Sequence, residues 1–243
     1  HSFPTRRSSD LLSWFTSAGD LNRDLLNQDA GKLTAFYQSQ GYIRARVGEP
    51  QVDFESDGIL VSFKINEGPR FKVGTVDFRG DLILPKDQLM QKVKIRQEPY
   101  FNRETLRQDV MRLTDLYSDE GFAYVDVATR VNQNADELVA DIVFAIDKGK
   151  QVYFEKIQIV GNTKTRDKVI RRELKVHEQE LYGGQRLKRS IRNLNRLDYF
   201  ENVKVDTVKG SADDRMRATL EVTEKSTGAF TRSEEHTSEL QSR

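Results

Sequence analysis

The sequence predicts an α+β protein made of tandem modules, each ordered β-α-α-β-β with a three-stranded mixed sheet covered by two helices. Three observations predict this class. An internal repeat recurs about every 81 residues, apolar residues alternate as in half-buried strands, and apolar stripes follow helical spacing. A small sheet covered on one face by two helices is the smallest layered core that such elements can form.

The strands give the clearest part of the repeat. The alternating residues of one strand recur 81 positions later, as Ile59, Val61, Phe63 and Ile65, and then as Ala140, Ile142, Phe144 and Ile146. A second strand repeats at the same spacing, as Val73, Val76 and Phe78 before Gly80, and then as Phe154, Ile157 and Ile159 before Gly161. Alternation of this kind places every second side chain on one face of a sheet.

The long helices repeat as well. Their apolar stripes, spaced i, i+4, i+7 and i+10, are Leu106, Val110, Leu113 and Leu116, and then Leu187, Ile191, Leu194 and Leu197, with a partial earlier copy in Leu26, Ala30, Leu33 and Phe36. Each helix leads into an aromatic turn and then a strand, and the third copy is three residues shorter at this turn. One face of each helix is therefore expected to pack on a sheet.

One complete unit predicts the order of elements in all of them. A strand at 71–79 precedes a short helix opened by Pro85 and a longer helix after Asn102, because proline at a first position and asparagine as N-cap are helix start signals. Two strands follow at 122–131 and 137–147, joined by a loop at 132–136. The predicted modules are 12–70, which lacks its first strand, 71–150 and 151–230. The short joints at 67–70 and 148–151 predict an articulated arrangement.

The two ends do not share this periodicity. Residues 1–11 and 231–243 resemble translated sequencing-adapter DNA, and we interpret them as scars outside the fold. We therefore expect the natural gene to continue beyond both.

Neither the composition nor any group of residues in the sequence indicates a catalytic site. The 243 residues carry a formal net charge of +1 and no cysteine, and no apolar run has transmembrane length. His177 is the only histidine outside the ends, so neither a metal cluster nor a Cys–His pair is available. Asp213 and Asp214 are typical of a hairpin loop, and Gly183-Gly184 lacks the spacing of a phosphate loop. We expect no enzyme, no metal and no cofactor.

A nucleic-acid-binding α/β module is the main alternative from another class. The third long helix carries five basic residues, Arg186, Lys188, Arg189, Arg192 and Arg196. The aromatic residues Tyr117, Phe122 and Tyr124 could stack on bases. A solvated helix face and core packing explain both features more simply, because the overall charge is balanced. We therefore expect no nucleic-acid partner.

Three segments resemble a known family. They are 161–174, which begins Gly-Asn-Thr-Lys-Thr, 195–203 and 224–230. Together they resemble the POTRA (polypeptide-transport-associated) domains of outer-membrane assembly factors, over roughly residues 12–230. The resemblance implies the third to fifth domains of a five-domain array, in the periplasmic portion of a bacterial outer-membrane protein. Membrane contact would then come through a C-terminal β-barrel absent from this sequence.

The function implied by the resemblance is the recruitment and guidance of unfolded outer-membrane β-barrel precursors, alongside lipoprotein partners. A related two-partner secretion or translocation pore also carries POTRA modules and stays an alternative. In the family the second strand of the module is an exposed edge, whose unpaired N–H and C=O groups can pair with an extended peptide. Here those strands correspond to 42–54 and 122–131.

The predicted client-binding residues on these strands are Tyr42, Ile43, Arg44, Ala45, Arg46, Val47, Phe122, Tyr124, Val125 and Val127. Two arginines on an edge deter permanent aggregation, and Pro50 should end the usable edge of the first module, because proline cannot donate to a ladder. The alternative is an ordinary hairpin strand whose edge is never occupied.

A separate docking surface is predicted where the first helix of the third module ends. Its residues are Arg171, Arg172, Glu173 and Glu178. The resemblance matches Glu178 to an acidic position that helps to dock a lipoprotein, although the preceding residues 174–177 depart from the more polar family pattern. The alternative is a solvated helix end, where each charge contributes only tenths of a kcal/mol, roughly.

Overall fold

The computed structural model describes residues 23–55 and 58–225, without the side chains of 54 and 55. The scar-like ends at 1–11 and 231–243, the start of the first module at 12–22, and the family-like residues 226–230 lie outside the described residues. The chain divides into two compact units. One runs to Ser118 and resumes at Tyr124–Gly149, and the other comprises Asp119–Ala123 and continues from Lys150.

The second module contains every predicted element. In chain order these are β5 (Lys72–Gly80), α2 (Lys86–Lys92), a 3₁₀ turn (Ile95–Gln97), α3 (Arg103–Asp119), β6 (Asp126–Asn134) and β7 (Val139–Asp147). β7 lies in the centre of the sheet, parallel to β5 and antiparallel to β6. The predicted α+β class with a three-stranded mixed sheet is confirmed.

The core of this module lies between one face of the sheet and the helices. Alternate residues of β7, including Ile142 and Phe144, are buried, and the rings of Phe78 and Phe144 stack with centroids 5.3 Å apart. Helix α3 buries Leu106 and Leu113 of the predicted stripe, and it also buries Tyr117. Each such side chain contributes roughly 1.5–3 kcal/mol through removal of apolar surface from water.

The predicted N-cap of the long helix is confirmed. The Oδ1 atom of Asn102 accepts hydrogen bonds from the backbone N–H groups of Glu104 (3.0 Å) and Thr105 (3.1 Å). These amides lie in the first turn, where they have no partner within the helix. Pro85 directly precedes α2, and its carbonyl accepts from the N–H of Leu89.

The third module repeats this topology. Its elements are β8 (Tyr153–Val160), α4 (Asp167–Glu173), α5 (Gly184–Arg196), β9 (Phe200–Lys209) and β10 (Arg215–Glu224). The sheet order is β8-β10-β9, again with a parallel and an antiparallel neighbour for the central strand. Its buried cluster includes Phe154, Ile170, Leu194 and Leu220.

The first module has an interrupted hairpin. Its elements are α1 (Arg23–Ser39), β1 (Arg46–Val47), β2 (Gln51–Glu55), β3 (Gly58–Ser62) and β4 (Ile65–Asn66). β1 pairs with β4 and β2 pairs with β3. Pro50 lies in the interruption, at the place where the sequence predicted the ladder to be broken, because proline has no N–H to donate.

Two predicted strands begin later than the sequence indicated. Residues 42–45 and 122–125 are turns, and β1 and β6 start only at Arg46 and Asp126. The preceding glycines, Gly41 and Gly121, have φ values of 97° and 94°, which redirect the chain after each helix. The assignment of Tyr42, Ile43, Arg44, Ala45, Phe122, Tyr124 and Val125 to strands was therefore wrong.

Candidate functional site

β6 is an edge strand of nine residues. Its inner neighbour is β7, and no other strand among the described residues pairs with its outer side. Val127 is buried, while Ala128 and Arg130 are exposed on the opposite face. An edge of this length presents alternate backbone N–H and C=O groups to solvent, so it can accept one further strand.

β9 forms the equivalent edge in the third module, with ten residues. Its inner neighbour is β10, and no strand in the described part of the chain pairs with its other side. Val208 is 58% exposed near its end. The sequence prediction omitted β9 from the client-binding residues, although the alternation of Val203 and Val205 marks it as a strand.

The first strands of the two sheets are edges as well, but the chain covers part of them. Along β8, Phe154 donates to the carbonyl of Glu180 (2.9 Å) and accepts from the N–H of Gln179 (2.7 Å). At the start of β5, Lys72 forms an antiparallel bridge with Tyr100, and the carbonyl of the preceding Phe71 accepts from the N–H of Phe101 (3.0 Å). The more open edges are therefore those of the second strands, β6 and β9.

Five of the six client-binding residues predicted in the first module line one groove. Ile43, Arg44, Ala45, Arg46 and Val47 border a cavity of about 860 Å³, together with Thr34, Gln38, Asn66, Gly68 and Pro69. Tyr42 lies outside it, in a smaller groove of about 480 Å³. The structure thus brings five of the six residues together, around a turn and a two-residue strand rather than along a continuous edge.

Arg44 has contacts of its own in this region. Its Nε atom donates to Oε1 of Gln133 (2.8 Å), and its guanidinium lies 5.4 Å from the centre of the Phe71 ring. Gln133 belongs to β6, so Arg44 contacts the far end of the open edge in the second module. This contact engages one of the two arginines that the sequence predicted to deter aggregation.

The predicted residues of the second module have different surroundings. Tyr124 is 51% exposed in the turn, whereas Phe122 is buried within the second compact unit. Val125 is half-buried, and Val127 is buried on β6. Of these four, only Val127 lies on the edge strand.

Two of the four predicted docking residues, Arg171 and Glu178, contact the edge of β8. The Oε1 atom of Glu178 accepts from the N–H of Ile157 (2.9 Å), and Nη2 of Arg171 donates to the carbonyl of the same residue (3.1 Å). The Nε atom of Arg171 also lies 2.9 Å from the carboxylate of Asp167. Arg171 and Glu178 therefore cover both backbone groups of Ile157, a role that the sequence did not reveal.

The other two docking residues form a looser pair. Arg172 lies 3.4 Å from Glu173, and its side chain is 73% exposed. Arg171, Glu178 and His177 line a small groove of about 150 Å³ beside α4. The groove presents both charge signs to solvent.

A carboxylate holds the loop that carries the Gly-Asn-Thr-Lys-Thr motif. Glu224, at the end of β10, accepts from Oγ1 of Thr163 (2.7 Å) and from the backbone N–H groups of Lys164 (2.9 Å) and Thr165 (2.6 Å). The hydrogen bond from Thr163, followed by that from the Thr165 backbone, lowers the pKa of Glu224 to about 2. The motif is thus tied to the last strand of the module.

The residues that the sequence analysis rejected as catalytic or phosphate-binding lie in a turn and at a helix start. Asp213 lies 2.5 Å from Lys209 in the turn between β9 and β10, and Gly183 and Gly184 lie at the start of α5. The described residues contain no cluster of acidic or histidine side chains suited to a metal ion. None of the helices in the described ranges is long and apolar enough to cross a membrane.

Comparison with known proteins identifies the modules. The POTRA family model, described as "Surface antigen variable number repeat", matches residues 3–68, 71–149 and 152–225. The chain is 37% identical over 224 residues to the outer membrane protein assembly factor BamA of Nitratidesulfovibrio vulgaris, and 31% identical to that of Neisseria meningitidis serogroup B. Each alignment covers 90% of this chain and 28% of the relative, so the chain spans little more than a quarter of their length.

A solved structure has the same fold. The crystal structure of Haemophilus influenzae BamA POTRA3-5 superimposes with a TM-score of 0.74 at 18% identity, covering 84% of this chain and 82% of that one. The predicted resemblance to the third to fifth POTRA domains of BamA is confirmed, and the chain is a periplasmic portion of an outer-membrane protein. With family-model matches across all three modules, the chain belongs to the POTRA family.

Proposed function

We propose that this POTRA region recruits and guides unfolded outer-membrane β-barrel precursors by adding their extended segments to β6 and β9. The observation that carries the proposal is the open outer side of these two strands, within the described residues, beside first strands that the chain partly covers. Main-chain pairing is indifferent to the side chains of the client. It therefore suits a receptor for many different barrels.

The alternation along β6 supports this role. Val127 anchors the strand in the core, while Asp126, Ala128 and Arg130 keep the exposed face polar or small. Charged residues on an edge oppose the assembly of two copies of the module, whereas a single extended client can still pair. The edge is thus suited to transient binding.

Site-specific photo-crosslinking tests the proposal. A benzophenone side chain at Arg130 on β6 or at Val208 on β9 should crosslink to a urea-denatured barrel protein that is diluted into the reaction. Met111, which is 51% exposed on α3, is the matched helix position. A further pair, Arg44 and Tyr124, tests the turns that the sequence assigned to the edges.

We expect crosslinking at the edge strands only. It should be lost when the barrel protein is folded in detergent beforehand. Equal crosslinking at Met111 would show general stickiness and would contradict strand addition.

We propose in addition that the surface formed by Arg171, Arg172, Glu173 and Glu178 docks a lipoprotein partner. Its support is the cluster of charges beside α4, in which Arg172 pairs with Glu173 at 3.4 Å and with no other acid among the described residues. Glu178→Gln removes the charge but keeps an oxygen that can accept from Ile157. Loss of partner pull-down in this variant is expected, whereas unchanged pull-down in both Glu178→Gln and Arg172→Glu would contradict docking.

A further inference from the structure

Helix α5 carries three arginines along its outermost face. Arg189, Arg192 and Arg196, here called the arginine stripe, are spaced i, i+3 and i+7, so they share one side of the helix. At about 100° per residue this side is opposite to the one that buries Ser190 and Leu194. All three side chains are exposed.

The stripe has no counter-charge. Within the described residues, the structure gives no ion pair to any of the three arginines, and α5 contains no aspartate or glutamate. Asp198, the first acidic residue after α5, pairs with Lys225 and not with an arginine of the stripe. The outer face of α5 therefore presents positive charge that the chain itself does not neutralise.

The repeat shows that the fold does not require arginine at these positions. The equivalent residues of the other long helices are Gln108, Met111 and Asp115 on α3, and Gln28, Gly31 and Ala35 on α1. These helices occupy the same place in the repeat with neutral, small or acidic residues. The arginines thus add nothing that the packing of the module needs, and an external ligand explains their presence better.

The chemistry of the stripe favours a broad anionic surface over a protein partner. A protein interface has a core of apolar or aromatic anchors, and the stripe contains none. Guanidinium groups bind phosphate oxygens through paired hydrogen bonds, and three of them here follow a convex helix for about 10 Å. Because the chain is a periplasmic portion of an outer-membrane protein, a membrane is the anionic surface at hand.

We propose that the arginine stripe binds the phosphate headgroups of an anionic phospholipid membrane. This role is separate from client addition to β6 and β9. Each basic residue near an anionic membrane strengthens binding about fivefold, so three contribute on the order of 100-fold at low salt. Screening over a Debye length of roughly 10 Å at 0.1 M salt should weaken the contact steeply.

Vesicle co-sedimentation of the full 243-residue chain tests the proposal. Vesicles of phosphatidylglycerol mixed with phosphatidylcholine are compared with vesicles of phosphatidylcholine alone. The test variant is Arg189→Gln, Arg192→Gln and Arg196→Gln. The control variant, Lys92→Gln, Arg96→Gln and Lys156→Gln, removes the same charge from exposed positions elsewhere, and circular dichroism checks the fold of both.

The proposal expects binding to the anionic vesicles only, a loss of about 100-fold in the stripe variant, and little change in the control. Equal losses of vesicle binding in both variants would show that only net charge matters, and this would overturn the proposal. Absence of vesicle binding by the unaltered chain would also overturn it, and stripe-dependent binding of single-stranded DNA without vesicle binding would assign the stripe to nucleic acid instead.

Discussion

The backbone N–H of Phe71 donates a hydrogen bond of 2.8 Å to the carbonyl oxygen of Gly41. In the second compact unit, Val152 donates to Gly121 at 2.9 Å in the equivalent way. The turn that follows each long helix is therefore bonded to the residue that opens the next repeat. Because both glycine carbonyls are occupied, these turns are not free edges for a client.

The side chain of the preceding residue completes each contact. Nε of Arg70 donates to the carbonyl of Gln40 (2.7 Å), and Nε2 of Gln151 donates to that of Glu120 (2.8 Å). Arginine and glutamine thus make the same bond in the two repeats. The arrangement depends on a donor of sufficient length, and not on a charge.

Alanine at Gly121 should destabilise the second compact unit. Gly121 has a φ of 94°, and an added Cβ would lie 2.7 Å from Cγ of Leu181. We expect a loss of about 2–3 kcal/mol in the free energy of unfolding, from left-handed strain and crowding together. Gly149→Ala adds backbone strain without crowding, since no atom lies within 4 Å of the added Cβ. The free energy of unfolding should therefore fall by only about 1–2 kcal/mol. Urea unfolding measures both, and a smaller loss at Gly121 would contradict the crowding.

Asp109 should be the costliest polar residue to remove in the second module. Its fully buried carboxylate accepts from the N–H groups of Lys94 (2.9 Å) and Ile95 (2.7 Å) and pairs with Arg112. Asp109→Ala leaves these donors unsatisfied, and we expect a loss of about 2–4 kcal/mol by urea unfolding.

Serine should restore part of that stability. At the equivalent position of the third module, Oγ of Ser190 accepts from the N–H of Lys175 at 2.7 Å. Asp109→Ser should therefore be more stable than Asp109→Ala. If the two variants unfold at the same urea concentration, the amide contacts of Asp109 do not carry its contribution.

The motif loop should depend on pH through Glu224. Its pKa lies near 2, below the ordinary 4.5, because Thr163 and the Thr165 backbone donate to the ionised carboxylate. A lowered folded-state pKa means that the stabilisation is fully present above about pH 4.5 and is lost as the pH falls toward 2. Glu224→Gln should therefore be less stable than the unaltered chain at pH 7 and equal to it near pH 2. A difference that persists at pH 2 would contradict this account.

The amide of Ile157 should report the contact with Glu178. Removal of the acceptor in Glu178→Ala should speed hydrogen exchange at Ile157 about tenfold, because one hydrogen bond of roughly 1.4 kcal/mol is lost. Glu178→Gln keeps an acceptor and should exchange more slowly than Glu178→Ala. Equal exchange in the unaltered chain and Glu178→Ala would show that this hydrogen bond does not protect the amide.

The elements that could be predicted are those with local signals. The stripe around Leu113 and the alternation around Ile142 come from residues a few positions apart, and Asn102 caps amides two and three residues ahead. The same local alternation wrongly predicted strands at 42–45 and 122–125. A turn after a left-handed glycine can contain alternating residues without pairing to another strand.

By itself, the sequence determined the repeat, the order of its elements and the family, since periodicity and motifs are written in neighbouring residues. The tertiary structure alone decided which strand borders stay open. Glu178 and Arg171 cover Ile157 from 21 and 14 residues away, while β6 and β9 have no comparable strand partner in the described ranges. Such coverage depends on groups that meet only after folding, so no local pattern encodes it.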